Sequence, residues 1–214
     1  MMNKRLIIMR HGQTDWNVEN RFQGHTDIPL NAMGRAQVAR AASILGTQDI
    51  DHIISSDLQR AFDTAAAVAD VKKLTVIADP QLRETHCGSW EGRTGPDIEA
   101  TDGQQLTRWF AGDDIPAGGD GERRSEVVKR MMNAIDKGLA SCASGQTLLV
   151  VTHGGAARGA IGALLGLAIE DWVAIGGLAN ASWSIVEERN ARWRLIEHNS
   201  GVLPEPILGQ ESSQ

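Results

Sequence analysis

Near its start the chain reads Leu6-Ile7-Ile8-Met9-Arg10-His11-Gly12-Gln13-Thr14-Asp15-Trp16-Asn17. The apolar residues at 6–9 predict a buried strand, and the next three place a permanent cation, an imidazole and a glycine where that strand ends. Glycine allows a ligand to approach the backbone closely. The carboxyl edge of an open α/β sheet is where ligands bind. Taken alone, the same letters also fit an ordinary strand end with surface charges.

Three further segments carry side chains of the same chemistry. A second arginine, Arg60, lies in the first turn of a predicted helix, and the carboxylate Glu84 lies in the segment Leu-Arg-Glu-Thr-His. A second His-Gly pair begins at His153, directly after the apolar run 148–151. Because each of these residues follows a predicted strand or opens a helix, we expect them to meet in one polar site.

Length and composition restrict the class of protein. A chain of 214 residues fits one domain, and 42% hydrophobic with 22% charged residues is typical of a soluble globular protein. The formal net charge of −6 argues against nucleic acid and acidic membranes as partners. The two cysteines predict neither a disulfide framework nor a metal site, and reduced thiols fit the cytoplasm. The apolar stretch 159–169 is shorter than the ~20 residues of a membrane span.

Apolar runs alternate with helical patterns along the chain, which predicts a three-layer α/β domain. Strands are predicted at 6–9, 52–55, 74–78, 148–151, 182–187 and 193–198, the last two joined by Asn190-Ala191. Helices are predicted from Asn31 or Ala32 to 45, at 57–70 with Asp57 as its cap, at 127–139, and after the fourth strand.

The chain is predicted to form a single domain over residues 1–200. Within it, residues 92–121 show a weak pattern and contain Gly-Gly-Asp-Gly, so we interpret them as an insertion that acts as a lid over the site. Residues 201–214 contain two prolines and many polar residues, and we expect a poorly ordered tail.

In combination, these motifs resemble the histidine phosphatase superfamily, also called phosphoglycerate-mutase-like, over about residues 4–200. The resemblance implies an α/β/α sandwich around a mostly parallel mixed sheet. It also implies hydrolysis of a small phosphorylated metabolite through a phosphohistidine intermediate. No cofactor is expected, and no metal, since no cluster of His, Cys and Asp has the spacing of metal ligands.

Roles for five catalytic residues follow from the residue chemistry and the resemblance together. Arg10 and Arg60 suit a phosphoryl group because guanidinium donors match its oxygens in pairs. His11 matches the family's nucleophile, and a neutral imidazole can split one hard step into two. His153 matches the second histidine, which stabilises charge in the transition state. Glu84 matches the acid that protonates the leaving alcohol and then activates water.

Four further residues are predicted to bind the substrate. The resemblance assigns phosphate donors to the loop after the nucleophile, which places Asn17, Gln23 and Gly24 in the site. Gly154 offers a backbone N–H at the start of a helix. By contrast, His25, His52 and His198 match no motif and are expected to be surface or core residues, while His86 fits either a pocket or a structural role.

The residues after Glu84 favour a phosphatase over a mutase. Mutases of the family typically follow this glutamate with Arg-His-Tyr-Gly, whereas this chain has Thr85-His86-Cys87-Gly88 and no tyrosine at all. Gln13 replaces a glutamate that many relatives have. The segments 55–58, 82–86 and 176–183 resemble the glucosyl-3-phosphoglycerate phosphatases of actinobacteria, which implies that substrate. A mutase, another sugar or nucleoside phosphate phosphatase, and an inactive protein that only binds phosphorylated ligands remain as alternatives.

Finally, apolar residues crowd the C-terminal third of the chain: Trp172, Ile175, Leu178, Trp183 and Trp193. An apolar surface patch there would favour a homodimer. The alternative is that these side chains fill the core of the monomer.

Overall fold

The computed structural model describes residues 4–201. Its six-stranded sheet has the order β3-β2-β4-β1-β5-β6. The strands are β1 (Arg5–Arg10), β2 (His52–Ser55), β3 (Val76–Ala78), β4 (Thr147–Thr152), β5 (Trp183–Arg189) and β6 (Arg192–Ser200). β3, β2, β4 and β1 are parallel, and β5 and β6 add to them antiparallel. The predicted mostly parallel mixed sheet is therefore confirmed.

Helices cover both faces of this sheet. They are α1 (Asp15–Val18), α2 (Ala32–Leu45), α3 (Gln59–Lys72), α4 (Gly95–Phe110), α5 (Arg124–Ala140) and α6 (Gly154–Leu164). In β1, Leu6 and Ile8 pack into one core with α5 and α6, whereas Ile7 and Met9 pack into a second core with α2 and α3. Successive side chains of a strand point to opposite faces, so an unbroken apolar run is what a strand between two helical layers requires.

Several boundaries differ from the prediction for local reasons. The predicted N-cap of α3, Asp57, does not cap it, because the Asp57 carboxylate binds the Arg83 guanidinium and the helix begins two residues later without a side-chain cap. Strand β3 begins at Val76 rather than at residue 74, because the Leu74 N–H closes the end of α3 on the Ala69 carbonyl. The predicted start of α2 at Asn31 or Ala32 is confirmed, because the helix begins at Ala32 and the Asn31 side chain caps it by accepting from Gly34 N–H at 2.8 Å.

The segment 92–121 contains a 16-residue helix, α4, kinked at Asp102, rather than only the weak pattern expected there. Thr94 and Asp97 form a capping box at its start. The helix buries Ile98, Leu106 and Trp109 in a third apolar cluster with Trp90, separate from the two cores that flank the sheet. This part of the chain therefore has a small core of its own.

The apolar residues of the C-terminal third do not form a surface patch. Trp172, Ile175, Leu178 and Trp183 are all buried within the chain, and Trp193 packs against the core beneath α5 and α6. The alternative interpretation, that they fill the core, is confirmed. The expected turn at Asn190-Ala191 is also confirmed, with both residues at positive φ as a tight hairpin requires.

Two further predictions concern the C-terminal tail and membrane-spanning segments. Residues 202–214 of the predicted tail lie outside the described residues. Among the helices described between residues 4 and 201, none is long and apolar enough to cross a membrane.

Candidate active site

The carboxyl ends of three adjacent parallel strands bring the predicted site together. β1 ends at Arg10, β2 at Ser55 and β4 at Thr152, and the chain continues directly into His11, Ser56 and His153. The rings of the two histidines lie edge to face with centroids 5.1 Å apart. Strand order thus places side chains together that are more than 140 positions apart in sequence.

His11 is buried and held in one tautomer. Its Nδ1 donates to the carbonyl oxygen of Gly12 at 2.6 Å. A carbonyl only accepts, so the proton is on Nδ1 and the lone pair is on Nε2. Burial lowers the pKa of this imidazole well below its usual value, and the nearby Arg60 and Arg10 cations lower it further. The ring is therefore neutral at pH 7, as a nucleophile must be.

Arg60 is fully buried and contacts three groups in the site. Its Nε donates to Nδ1 of His153 at 3.2 Å, and its two Nη atoms donate to the carbonyls of Thr26 and Gly24, each at 2.8 Å. Burial lowers the pKa of Arg60 to about 10, which leaves the side chain charged at pH 7. A guanidinium has five N–H donors, and these contacts use three of them.

Arg10 lies beside the first turn of α6. Its Nη1 donates to the carbonyl of Leu178 at 2.7 Å. A Cβ at Gly154 would lie 3.5 Å from the carbon of the guanidinium, at ordinary van der Waals contact, which shows that the arginine lies against the first residue of the helix. Gly154 thus lies beside Arg10, and its predicted role as a backbone donor to phosphate stays a prediction. The cation and the positive end of the helix dipole both favour an anion here.

His153 has the opposite tautomer to His11. Because its Nδ1 accepts from Arg60, its proton is on Nε2, which donates to Ser56 Oγ at 2.9 Å. Burial, then the charge of Arg60, lowers the pKa of this ring well below its usual value. His153 therefore presents a neutral N–H donor beside His11.

The carboxylate of Glu84 lies at the N-terminus of α6. It accepts from the backbone N–H groups of Gly155 and Ala156, each at 2.9 Å, and from that of Thr85 at 2.8 Å. These bonds orient both carboxylate oxygens. Glu84 is thereby brought to the same helix end that Arg10 approaches.

The loop after the nucleophile places the other predicted binding residues in one network. Asn17 Oδ1 accepts from the backbone and hydroxyl of Thr14, and the Thr14 hydroxyl also lies 3.1 Å from Oε1 of the buried Gln23. Gly24 contributes its carbonyl to Arg60 and has a φ of +51°, and a Cβ there would collide with Glu91. All nine predicted residues therefore belong to one connected region.

Three residues that sequence reasoning did not place in the site also touch it. Asn180 donates to the His11 carbonyl and to Asn17 Oδ1, both at 3.2 Å, and Ser56 holds His153. His25, expected to lie elsewhere, donates from Nε2 to the Glu84 carbonyl at 2.9 Å. The residues on either side of His25 in sequence, Gly24 and Thr26, both bind Arg60. Because Gly24 was predicted to lie in the site, its direct neighbour His25 could have been placed there too.

The remaining histidines follow the sequence prediction more closely. His52 lies 3.2 Å from the Gln146 side chain, and His198 bonds to Ser184 and to the Gly176 carbonyl. His86 lies beside the His25 ring, with centroids 5.2 Å apart, and is partly exposed at the rim of the site. Within residues 4–201 no group of three or more His, Cys, Asp or Glu is placed to hold a metal ion.

The arrangement can bind a dianion and attack it. Two cations, a neutral donor imidazole, a neutral nucleophilic imidazole and an oriented carboxylate surround one helix N-terminus. A local positive site of this kind in a chain of net charge −6 selects a small anion rather than a polyanion.

Comparisons with known proteins agree with this chemistry. A model of the histidine phosphatase superfamily (branch 1) matches residues 6–201. The chain is 37% identical to a glucosyl-3-phosphoglycerate phosphatase of Mycobacterium tuberculosis, over 94% of this chain and 97% of that protein. It is 36% identical to phosphoglycerate mutase-like protein 4 of Arabidopsis thaliana, over 72% and 67% of the two chains. The solved structure of a mycobacterial glucosyl-3-phosphoglycerate phosphatase in complex with VO3 matches with a TM-score of 0.86 and 39% identity, covering 92% of this chain and 99% of that one. The chain therefore belongs to the histidine phosphatase superfamily.

Proposed function

We propose that this protein is a phosphomonoester hydrolase that acts through a phosphohistidine on His11. The observation that carries the proposal is the hydrogen bond from His11 Nδ1 to the Gly12 carbonyl, 2.6 Å long. Because Nδ1 carries the proton, the lone pair is on Nε2. Nε2 is then the nucleophilic atom of a neutral ring that lies near Arg10 and Arg60. A neutral nucleophile flanked by two cations suits an anionic electrophile, and a phosphoryl group is one.

The reaction has two steps. In the first, His11 Nε2 bonds to phosphorus while the bond to the alcohol oxygen breaks, and Glu84 gives that oxygen its proton. Arg10 and Arg60 stabilise the charge on the phosphoryl oxygens, and the Nε2–H of His153 does so as well once it exchanges its bond to Ser56 Oγ for one to a phosphoryl oxygen. In the second, Glu84 takes a proton from water, whose oxygen bonds to phosphorus as the bond to nitrogen breaks. Phosphate leaves and neutral His11 is restored.

The substrate that we propose is glucosyl-3-phosphoglycerate or a similar small phosphorylated metabolite. Two observations support it: the 37% identity to a glucosyl-3-phosphoglycerate phosphatase over nearly the whole chain, and the absence of the Arg and Tyr that mutases have after the glutamate. The sugar gives the proposed segment 92–121 a role, because this segment lies next to the loop after the nucleophile. Arg21 donates to the Gly92 carbonyl at 2.7 Å, and the ring of Trp16 packs over Gly92. We propose that the chain forms a single domain and that this segment closes over the sugar as its lid.

The site residues supply the nucleophile, the acid and the charge stabilisation, so the proposed chemistry needs no metal or organic cofactor. A cytoplasmic location fits the use of a small phosphorylated metabolite. We also propose a homodimer. Because the apolar residues of the C-terminal third are buried in the core, this proposal rests on strand β6 instead. β6 is an edge strand and presents unpaired backbone groups that a second copy can bind about a twofold axis.

A rapid-quench experiment tests the proposed function. Labelled p-nitrophenyl phosphate without added metal should yield a phosphoryl-enzyme that is labile in acid and stable in base. His11→Ala should abolish both the label and turnover, and His52→Ala, a change of the same size outside the site, should keep both. Turnover by His11→Ala near that of the unaltered protein would refute the assignment.

A further inference from the structure

Arg130, on α5, has every one of its donors engaged by two neighbouring segments. Nε and Nη2 each donate to the Glu122 carboxylate at 2.8 Å. Nη1 donates to the carbonyls of Gln81 and Arg83, at 2.8 and 2.7 Å, and Nη2 to that of Glu84 at 2.6 Å. A guanidinium has five N–H groups, and these contacts use all five. Arg130 therefore has no donor left for a phosphate, unlike Arg60.

The three carbonyls belong to the segment that carries Glu84 to the end of α6. This segment has little regular structure of its own, since only Pro80–Leu82 form a single 3-10 turn. Backbone carbonyls in such a segment need donors from elsewhere, and Arg130 supplies them from a regular helix. The position of the Glu84 backbone is thereby coupled to α5, which also packs against α6.

Glu122 extends the same contact beyond Glu84. Its Oε2 also accepts from the His86 N–H at 2.8 Å, and its own N–H donates to the His86 carbonyl at 2.8 Å. Burial alone would raise the pKa of Glu122, but hydrogen bonds from Arg130 and His86 hold that pKa below its usual range. The carboxylate is therefore ionised at pH 7, and its pair with Arg130 binds the backbone on both sides of Thr85.

From these contacts we infer that Arg130, with Glu122 as its partner, is a positioning residue that sets the location of Glu84 for proton transfer to the leaving alcohol. The inference rests on the proposed function, in which Glu84 is the acid. A misplacement of about 1 Å can reduce a rate on the order of 10²-fold. Loss of Arg130 should therefore slow the steps that need the acid and leave those that do not.

The test compares two esters of nearly equal shape, phenyl phosphate and p-nitrophenyl phosphate, by kcat/KM. Phenolate is the poorer leaving group and needs protonation more. We expect Arg130→Lys to lower kcat/KM for phenyl phosphate by about 10-fold or more and that for p-nitrophenyl phosphate by less than about 3-fold. Glu122→Gln, which keeps the size of the side chain, should act in the same direction. Arg189→Lys, which alters an exposed arginine bound to Glu187, is the matched control and should change neither value.

Glu84→Gln separates failure of the inference from failure of the proposed function. If Glu84→Gln slows the two esters equally, Glu84 is not the acid and the proposed mechanism is wrong. Suppose that Glu84→Gln slows phenyl phosphate more than p-nitrophenyl phosphate. If both Arg130→Lys and Glu122→Gln then slow the two esters equally, or not at all, the inference alone is overturned. In the double variant Arg130→Lys/Glu84→Gln, we expect no selectivity beyond that of Glu84→Gln. Additional selectivity would show that Arg130 acts independently of Glu84.

Discussion

The Nε–H of Arg60 donates to Nδ1 of His153 across 3.2 Å, and this bond fixes which nitrogen of the imidazole carries the proton. The proton then lies on Nε2, on the side of Ser56. Arg60 therefore contributes a charge for the anion and also determines that His153 is a donor. Under the proposed function, one residue thus controls two of the interactions offered to a phosphoryl group.

Arg60→Lys should lose much more than a conservative change normally does. Lysine keeps the positive charge but has no fork of donors that can hold Gly24, Thr26 and His153 together. We expect kcat/KM for p-nitrophenyl phosphate to fall on the order of 10²-fold, as for loss of one strong transition-state donor. Arg35→Lys, on the exposed side of α2, serves as the control. A loss of less than about 3-fold for Arg60→Lys would contradict the role described.

The buried imidazoles should make the protein less stable in weak acid. Burial and Arg60 hold the pKa of both His11 and His153 well below the unfolded value of about 6.5, so the unfolded state binds more protons below that pH. The free energy of unfolding should therefore fall as the pH is lowered from 6.5 to 5, by up to about 1.4 kcal/mol per pH unit for each ring.

Urea unfolding at several pH values measures this slope. His11→Asn should have a smaller slope than the unaltered protein because one of the rings is gone. Carboxylates with lowered pKa, such as Glu122, lose their contribution at lower pH, below about 5, which keeps the two effects apart. Equal slopes for the two proteins would show that His11 does not titrate as described.

Gly34→Ala should destabilise the fold and disturb the nucleophile loop. A Cβ at Gly34 would collide with the carbonyl oxygen of Gln13, which is backbone and cannot rotate away. We expect a loss of about 3 kcal/mol in the free energy of unfolding, at the upper end of overpacking effects. Gly103→Ala is the matched control, since its Cβ would come no closer than 3.5 Å to Glu99 and helical alanine stabilises by about 0.5–1 kcal/mol. Equal effects of the two changes would argue against the close contact.

The sugar should contribute to catalysis if the proposed substrate is correct. Binding energy from parts of a substrate that do not react can be used in the transition state. With several hydrogen bonds of roughly 1 kcal/mol each, kcat/KM for glucosyl-3-phosphoglycerate should exceed that for 3-phosphoglycerate by on the order of 10²-fold. Steady-state phosphate release measures both values. A ratio near one, or a preference for an unrelated phosphate ester, would reject the substrate and leave the phosphatase mechanism intact.

Much of the fold could be predicted because its local signals are strong. Buried parallel strands are apolar on both faces, so β1 and β4 stand out as short runs, and Asn31 marks the start of α2 by a side-chain cap. Helix α4 was missed because its pattern is diluted. Asp102 departs from helical φ and ψ, and the helix buries its apolar side chains in a small cluster rather than in the main cores.

Residue type and motif position were the basis for predicting the candidate site. They do not identify residues that reach the site only through tertiary contacts. Arg10 ends a strand, and His11 and His153 directly follow strands, which a sequence shows directly. Arg130 and Glu122 could not be identified in this way, because Arg130 meets Glu84 from 46 positions away and no motif joins them. Asp57 was assigned to the wrong partner for the same reason, since Arg83 lies 26 positions further on.

The pairing of β1 with β4 has a consequence for which changes the chain can tolerate. Arg10 lies opposite Thr152, and His11 follows that pair directly. Because both faces of β1 are buried and apolar, exchanging one aliphatic residue for another disturbs packing but leaves the alignment of the strands as it is. Adding or deleting a single residue would shift the imidazole along the sheet by about 3.3 Å. That shift equals the whole distance at which reacting atoms must lie, about 3–3.5 Å. The geometry of the site is therefore more sensitive to the length of this strand than to its composition.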